Sequence, residues 1–428
     1  MPHIILLGTL DTKHEEVLYL YNQLKKTASR FSHPLQITLI DCGRQPIADD
    51  AIAITHTDLM TKYAGDNTEI SKLSRGEAIE FLIACVESCV RDLLKTNDIH
   101  GIIGTGGSGG TSLISAVMRA AAPIGLPKLI ASTVASGNTG PIVGECDITL
   151  MYSVVDIAGT NQLLRDILDN AAGAIFGMAS AYEHRLEDQK ASGALQKSSG
   201  RKTRVGITMF GVTTACVDCI RNHLETQYPV EVYVFHATGH GGKAMERLVE
   251  EDRLDAILDI TTTEICDLVA GGTMSCDTDR LEMMLKKGIP TIISVGATDM
   301  VNFGPMDTVP LQYQKRKLLV HNPTVTLMRT SSDECQKVGE FIVQKVCQFS
   351  RDPAKVEVWL PRGGVSLLAT SGSEFEDQQA DAILANTVQL GLKESKTRVV
   401  SDDRDINDSG FAIDIADRLM ALIPLMKQ

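Results

Sequence analysis

No stretch of this chain approaches the ~18 consecutive apolar residues that a membrane-spanning helix requires, so a helical span is excluded. Positive charge is in short supply: 41 Lys and Arg stand against 54 Asp and Glu, a formal net charge of −13. Such a balance argues against general nucleic-acid binding and against an anionic-membrane surface, while leaving room for a local basic pocket. The ten cysteines lack the paired short spacings of a disulfide scaffold, which points to free thiols in a reducing compartment. No basic segment precedes the apolar start Ile4-Ile5-Leu6-Leu7, so a cytoplasmic location is the expectation. No Gly-x-Ser-x-Gly nucleophile elbow with its catalytic partners is visible either.

What is present is a soluble-protein composition, 43% apolar and 22% charged over 428 residues, enough chain for two or three domains with proper cores. One stretch stands out: Gly104-Thr105-Gly106-Gly107-Ser108-Gly109-Gly110-Thr111, with five glycines in eight positions. The apolar segment Ile99 to Ile103 leads into it, and a helical pattern from Thr111 to Ala122 leads out. Strand, glycine-rich turn and helix start form the layout in which backbone N–H groups converge on an anion. The first turn of that helix carries no Asp or Glu, so no carboxylate of its own offsets the positive helix end. Gly104, Gly106 and Gly109 satisfy G-x-G-x-x-G, but the acid expected about 20 residues later to hold a ribose hydroxyl is missing; Glu145 is the first one. This counts against an NAD(P)-dependent oxidoreductase. Gly109-Gly110-Thr111 lacks the lysine of a Walker loop. The run therefore reads as an anion site of neither standard type, with a mobile turn between two core elements as the alternative.

Taken in order, Ile4–Leu7 reads as a buried strand, and Thr12-x-x-Glu15 as the capping box of a helix reaching Lys26. Capping accounts for Asp11 and Thr12. Lys13 is different, because a cation in a first turn opposes the helix dipole and gains from a bound anion. A strand follows at Leu35–Ile40, then a long irregular polar stretch from Arg44 to Leu73, a length that is commonly functional. Ser74-x-x-Glu77 caps a helix reaching Lys95, and later strands fall at Leu129–Ala131 and Ile148–Tyr152. Ser180 to Arg204 is polar and charged, the best boundary. After it the grammar repeats: Val205–Met209, Val230–Phe235, Ala256–Ile260 and Thr291–Val295 echo the four strands of the first half. The expected fold is two similar doubly wound, Rossmann-like parallel-sheet domains, at 1–190 and 203–428, with ligand loops at the strands' carboxyl ends.

Where the first half has its glycine run, the second has Thr261-Thr262-Thr263-Glu264, and Glu264 is expected to cap its own helix and leave no phosphate site. A second candidate site in that half comprises His236, Gly239, Gly241, Gly242, Lys243 and Asn302, with a turn and a solvated lysine as the equally weighted alternative. His236 is the residue there with general acid or base chemistry. Cys216, Cys219 and His223 share a helix face with Ile220 and Leu224, and inert packing explains them better than zinc does. Near the end, a strand through Trp359, the turn Pro361-Arg362-Gly363-Gly364 and the strand Thr397–Ser401 are flanked by helical segments; the acids of Asp405-Ile406-Asn407-Asp408 suit turns and capping better than a metal.

Gly8-Thr9-Leu10-Asp11-Thr12-Lys13, the glycine run, Ser132-Thr133-Val134-Ala135-Ser136-Gly137, His236-Ala237-Thr238-Gly239 and the stretch Gly296 to Gly304 together resemble one family across almost the whole chain. It is the largely uncharacterised bacterial, fungal and plant family related to the N-terminal inhibitory region of the tomato mosaic virus resistance protein. That resemblance implies an ATP-binding first half, a second α/β half and a homodimer. It places nucleotide contacts on Thr9, Asp11, Thr12, Lys13, Gly106, Gly107, Ser108, Gly109, Gly110 and Thr111. Asp11 is then the candidate Mg²⁺ ligand, since Mg²⁺ takes one or two carboxylates beside phosphate oxygens. The plant relative binds and inhibits a viral replication protein, but fold and motifs alone do not transfer that interface. Two functions follow as expectations: an ATP-dependent enzyme with a small metabolite between the halves, near Gly239–Lys243 and Asn302, or a non-catalytic, nucleotide-gated protein-binding module.

Overall fold

The computed structural model describes residues 1–65, 70–191 and 201–423. Residues 66–69 of the expected long loop, 192–200 of the expected linker and 424–428 lie outside the described residues. The chain divides into two compact units, Met1–Ser199 and Gly200–Gln428.

The first unit runs β1 (His3–Gly8), α1 (Leu10–Arg30), β2 (Gln36–Asp41), β3 (Ile52–Ile54), α2 (His56–Tyr63), α3 (Arg75–Thr96), β4 (Gly101–Gly106), α4 (Ser108–Ala121), β5 (Lys128–Ser132), α5 (Gly140–Val143), β6 (Thr149–Tyr152) and α6 (Gln162–Ala191). Its six strands pair in parallel in the order β3-β2-β1-β4-β5-β6. Strand alternation sends Ile4 and Leu6 to one face with Val17, Leu20 and Leu24 of α1 and Leu164 and Leu168 of α6. Ile5 and Leu7 go to the other, with Leu82 and Val86 of α3 and Leu113, Ile114 and Val117 of α4. Both faces are covered, so the strands are apolar runs rather than alternating ones. Each such side chain fully buried contributes ~1.5–3 kcal/mol.

One expectation needs correction here. The stretch from Arg44 is not irregular throughout, because it folds into β3 and α2; Thr55 supplies α2 with a capping box, its hydroxyl accepting from Asp58 N. The division between the two units falls within Ser180 to Arg204; helix α6 runs into that stretch as far as Ala191, with Glu183 still buried.

The second unit runs β7 (Thr203–Met209), α7 (Thr214–Gln227), β8 (Val230–His236), α8 (Gly241–Glu250), β9 (Ala256–Thr261), α9 (Thr263–Ala270), α10 (Glu282–Lys287), β10 (Thr291–Gly296), β11 (Met300–Phe303), β12 (Leu318–Asn322), β13 (Val325–Arg329), α11 (Ser332–Phe349), β14 (Val356–Pro361), α12 (Gln378–Gly391), β15 (Arg398–Asp402) and α13 (Ser409–Leu422). Its parallel sheet has the order β15-β14-β10-β9-β7-β8. One sheet face packs against α7 and α13 through Cys216, Ile220, Leu224, Phe411 and Ile415. An antiparallel sheet, β11-β13-β12, is added; the sequence pattern did not disclose it. Both parallel sheets are doubly wound, and in each the chain reverses direction beside the first strand, between β1 and β4 or between β7 and β9. Crevices at the carboxyl edge of such reversals are where α/β sheets take ligands.

Candidate functional site

The register places the two sequence motifs of the first unit side by side. Leu7 pairs with Gly104, so the turns after β1 and β4 emerge together at the reversal. A methyl placed on Gly110 would lie 3.9 Å from Thr9 Oγ1. Helix α4 has Gly107 as N-cap, no side-chain cap and no acid in its first turn. Its leading N–H groups have no carbonyl within the helix to bind, so they and the dipole present positive potential to whatever faces them.

A cavity of about 560 Å³ opens in front of this helix start, walled by Thr9, Asp11, Thr12, Gly109 and Gly110, and by Arg44 and Arg75. A methyl on Gly109 would stand 3.5 Å from Arg75 Nη2. Arg44 Nη2 donates to the Leu73 carbonyl at 3.1 Å. These two guanidinium groups were missed from the sequence, although the signal was there. Arg75 is the first residue of α3, a cation in a first turn like Lys13, and Arg44 opens the long loop. Guanidinium forks suit phosphate and carboxylate oxygens.

The predicted residues divide by position. Thr9 is the N-cap of α1, its Oγ1 3.1 Å from Thr12 Oγ1; the Thr12–Glu15 capping box does not form, because the Thr12 N–H and hydroxyl both donate to the Thr9 carbonyl, at 3.1 and 3.2 Å, and α1 kinks at Lys13. Asp11 Oδ2 accepts from Arg44 N at 2.9 Å. A methyl on Gly43 would meet Asp11 Oδ1 at 2.7 Å and Asp41 Oδ1 at 3.0 Å, so two carboxylates converge where the turns after β1 and β2 meet. Asp41 is fully buried, with Oδ2 unpartnered among the described residues. Burial raises its pKa against the lowering effect of the Gly43 and Leu10 N–H groups. Lys13 is not on the cavity wall: its ammonium donates to the Ile157 carbonyl, and Glu16 Oε1 accepts from Gly159 N at 2.7 Å. Lys13 and Glu16 thus hold the turn after β6 on α1. Thr111 is buried, its hydroxyl 2.7 Å from Ser132 Oγ, and serves to join the turns after β4 and β5. Cys42 also touches the cavity, but burial pushes its thiol pKa well up, which disfavours the thiolate a nucleophile needs.

In the second unit the corresponding turn is filled from within. Glu264 does not cap α9, whose N-cap Thr262 makes no side-chain capping bond and instead donates its hydroxyl to the Ser294 carbonyl at 3.1 Å, contrary to the sequence expectation. Instead its Oε1 accepts from Gly239 N at 2.8 Å and Gly242 N at 3.2 Å, at the start of α8. Arg280 explains the choice. Its Nε lies 3.0 Å from Glu264 Oε2, and its Nη atoms reach Asp259 at 2.7 Å and Glu246 at 3.1 Å, all inside the core. A carboxylate bound there gains a charge-assisted partner that its own helix end does not offer. Gly241 and Gly242 are small for packing reasons: a methyl would sit 1.9 Å from His236 O or 2.3 Å from Arg280 Nε. Lys243 pairs with Asp277 at 2.9 Å. His236 is exposed and stacks on Phe210, ring centroids 5.5 Å apart. Asn302 is fully buried, donating through its backbone N–H to Asp267 at 2.8 Å, and burial holds Asp267 up at a pKa of about 7. Gly239, Gly242, Lys243 and Asn302 of this second candidate site thus donate to carboxylates within the second unit.

Cys216 is buried, and His223 pairs with Asp417 at 2.6 Å, a packing role in line with the sequence. Asp408 caps α13 by accepting from Phe411 N at 3.0 Å. Among the described residues, no helix is long and apolar enough to cross a membrane.

Two doubly wound α/β units, one with an uncapped glycine turn at its strand reversal and one with that turn filled, define the class. The chain belongs to the uncharacterised protein family UPF0261: residues 2–184 match the family's N-terminal domain and residues 202–423 its C-terminal domain. It is 41% identical to a UPF0261 protein of Clostridium tetani over 98% of both chains. It is 38% identical to the ToMV susceptible protein tm-1(GCR26) of Solanum lycopersicum and to the ToMV resistance protein Tm-1(GCR237) of the same plant, covering 99% of this chain and 56% of each tomato protein. Among solved structures, the UDP-N-acetylglucosamine 2-epimerase of Rickettsia bellii is similar over 64% of this chain and 78% of its own, at 10% identity and a TM-score of 0.21, a likeness too slight to bear on the site.

Proposed function

We propose that the first unit binds a nucleotide, ATP with Mg²⁺, in the cavity at the α4 start. The observation that carries this reading is the helix end that has neither cap nor acid, facing Arg44 and Arg75 across a cavity of about 560 Å³. Polyphosphate is the ligand chemistry that such a turn and two guanidinium groups suit. Gly106, Gly107, Ser108, Gly109 and Gly110 would supply backbone donors, Arg44 and Arg75 charge, and Thr9 and Thr12 hydroxyls. The donor set fits Mg²⁺ as well. Asp11 is a cavity-wall carboxylate with its neighbour Asp41 unsatisfied at one oxygen, and bound Mg²⁺ would neutralise phosphate charge there. The reducing, cytoplasmic setting inferred from ten free cysteines suits an ATP ligand.

Calorimetric titration of the full chain with ATP and Mg²⁺ tests the proposal. One site per chain, weakened about tenfold or more in Arg75→Ala, is the expected outcome; no binding at millimolar ligand removes the reading.

A second reading, a nucleotide-gated protein-binding module without turnover, draws on the likeness to the ToMV resistance protein. The susceptible protein matches at the same 38%, and antiviral activity is not proposed for this chain. Sustained ATP turnover with a metabolite panel favours an ATP-dependent enzyme; binding without turnover together with a stable partner favours the module. The homodimer is proposed on the family resemblance, and sedimentation equilibrium decides it.

A further inference from the structure

At the opposite edge of the first sheet, where the strands begin, three ligand-bearing side chains meet. His33, Glu183 and His184 each bring one donor atom within 4.8 Å of the others. Two local features place them. Ser32 adopts the left-handed conformation, φ 51°, and His33 N bonds back to Ala28 O at 3.1 Å, the turn that ends α1. The last turns of α6 carry Glu183 and His184 side by side, Glu183 nearly buried and His184 exposed.

His33 Nε2 is buried and makes no hydrogen bond among the described residues, yet it lies 3.4 Å from Glu183 Oε2. That separation is informative. In a tetrahedral zinc site with Zn–N and Zn–O bonds near 2.0–2.2 Å, neighbouring donor atoms stand about 3.3–3.5 Å apart. The His33–Glu183 pair already has the edge length of such a tetrahedron, without hydrogen-bond geometry. The other carboxylate oxygen, Oε1, accepts the Met1 amine, which orients the carboxylate in the way outer partners fix metal ligands. His184 supplies the third donor, its ring edge-on to His33 with centroids 6.1 Å apart, and the solvent side stays open.

From this geometry we infer that His33, Glu183 and His184 form a divalent transition-metal site that clamps the end of α1 to α6. Two imidazoles and a carboxylate suit zinc, nickel or cobalt over magnesium or calcium. The site is independent of the nucleotide proposal, since it shares no residue with the cavity.

Titration of the chelator-stripped full chain with ZnCl₂, and with CoCl₂ followed by visible absorption, tests it. One zinc per chain is expected, with a visible cobalt band of tetrahedral intensity. Affinity should fall at least about tenfold in both His33→Ala and His184→Ala, with the band lost. Zinc should raise the melting temperature of the parent chain but not of the variants. His184 is exposed, so its variant folds and separates ligand loss from unfolding. No saturable binding, or binding unchanged in both variants because zinc sits on thiols elsewhere, overturns the inference.

Discussion

The two strand reversals differ in what occupies them. In the first unit the helix after β4 starts on glycines, with arginines standing across an open cavity. In the second, Glu264 from the equivalent turn holds the N–H groups of Gly239 and Gly242, and Arg280 holds Glu264. In the second unit the carboxylate of the turn after β9 meets the positive start of the neighbouring helix α8 rather than that of α9. In the first unit no carboxylate stands in the first turn of α4. A glycine-rich turn at a helix start is thus insufficient as a ligand signature, and the nearest internal acid has to be located first.

The comparison can be broken at its most costly point by Arg280→Met. It leaves Asp259, Glu246 and Glu264 buried without their cation, a loss of about 3–5 kcal/mol. Denaturant unfolding should show this loss, while ATP titration of the folded protein stays unchanged.

Next in size is a pH effect confined to the second unit. Burial raises the Asp299 carboxyl from its ordinary 3.8 to about 6, with only Ser366 donating to Oδ2 and Oδ1 unpartnered among the described residues. The folded state therefore holds this proton more tightly than the unfolded state. Its contribution is fully present below pH ~4 and is lost as pH rises to ~6, about 3 kcal/mol in all. Asp299→Asn should flatten that part of the stability profile measured by urea unfolding.

A sharper test converts one turn into the other. Gly109→Asp places a carboxylate near Arg75, where a Cβ at position 109 meets Nη2 at an ordinary 3.5 Å. It should weaken ATP about ten- to thirtyfold and stabilise the chain slightly, by about 0.3–1 kcal/mol. Unchanged ATP affinity would show that the cavity does not take the phosphates. The smallest effect belongs to Lys13→Ala. With its ammonium on Ile157 O, it should change ATP affinity only about two- to threefold, through loosening of the turn after β6.

Much of the frame was legible from local pattern. Apolar runs such as Ile4–Leu7 and Ile102–Ile103 are strands because burial on both faces needs them apolar throughout. Ser74-x-x-Glu77 forms the capping box it spells. The antiparallel β11-β13-β12 sheet was not legible: its strands are only four or five residues long, and β11 pairs with β13 across more than twenty residues of chain. Within the site, Gly106–Gly110 and Thr9–Thr12 could be read from their places at helix starts. Arg44 and Arg75 could not be joined to them, because all of α3 and β4 separates Arg75 from the glycines it faces, and Arg44 lies farther back still.

By itself, the sequence determined that there are two doubly wound halves and that one helix start carries no acid, because strand apolarity and first-turn composition are local properties. Tertiary structure alone decided which charges face each helix start: Arg44 and Arg75 in one unit, Glu264 and Arg280 in the other. Those partners come from segments far apart in the chain, and only the parallel sheet, by aligning the ends of its strands at one edge, brings them within reach.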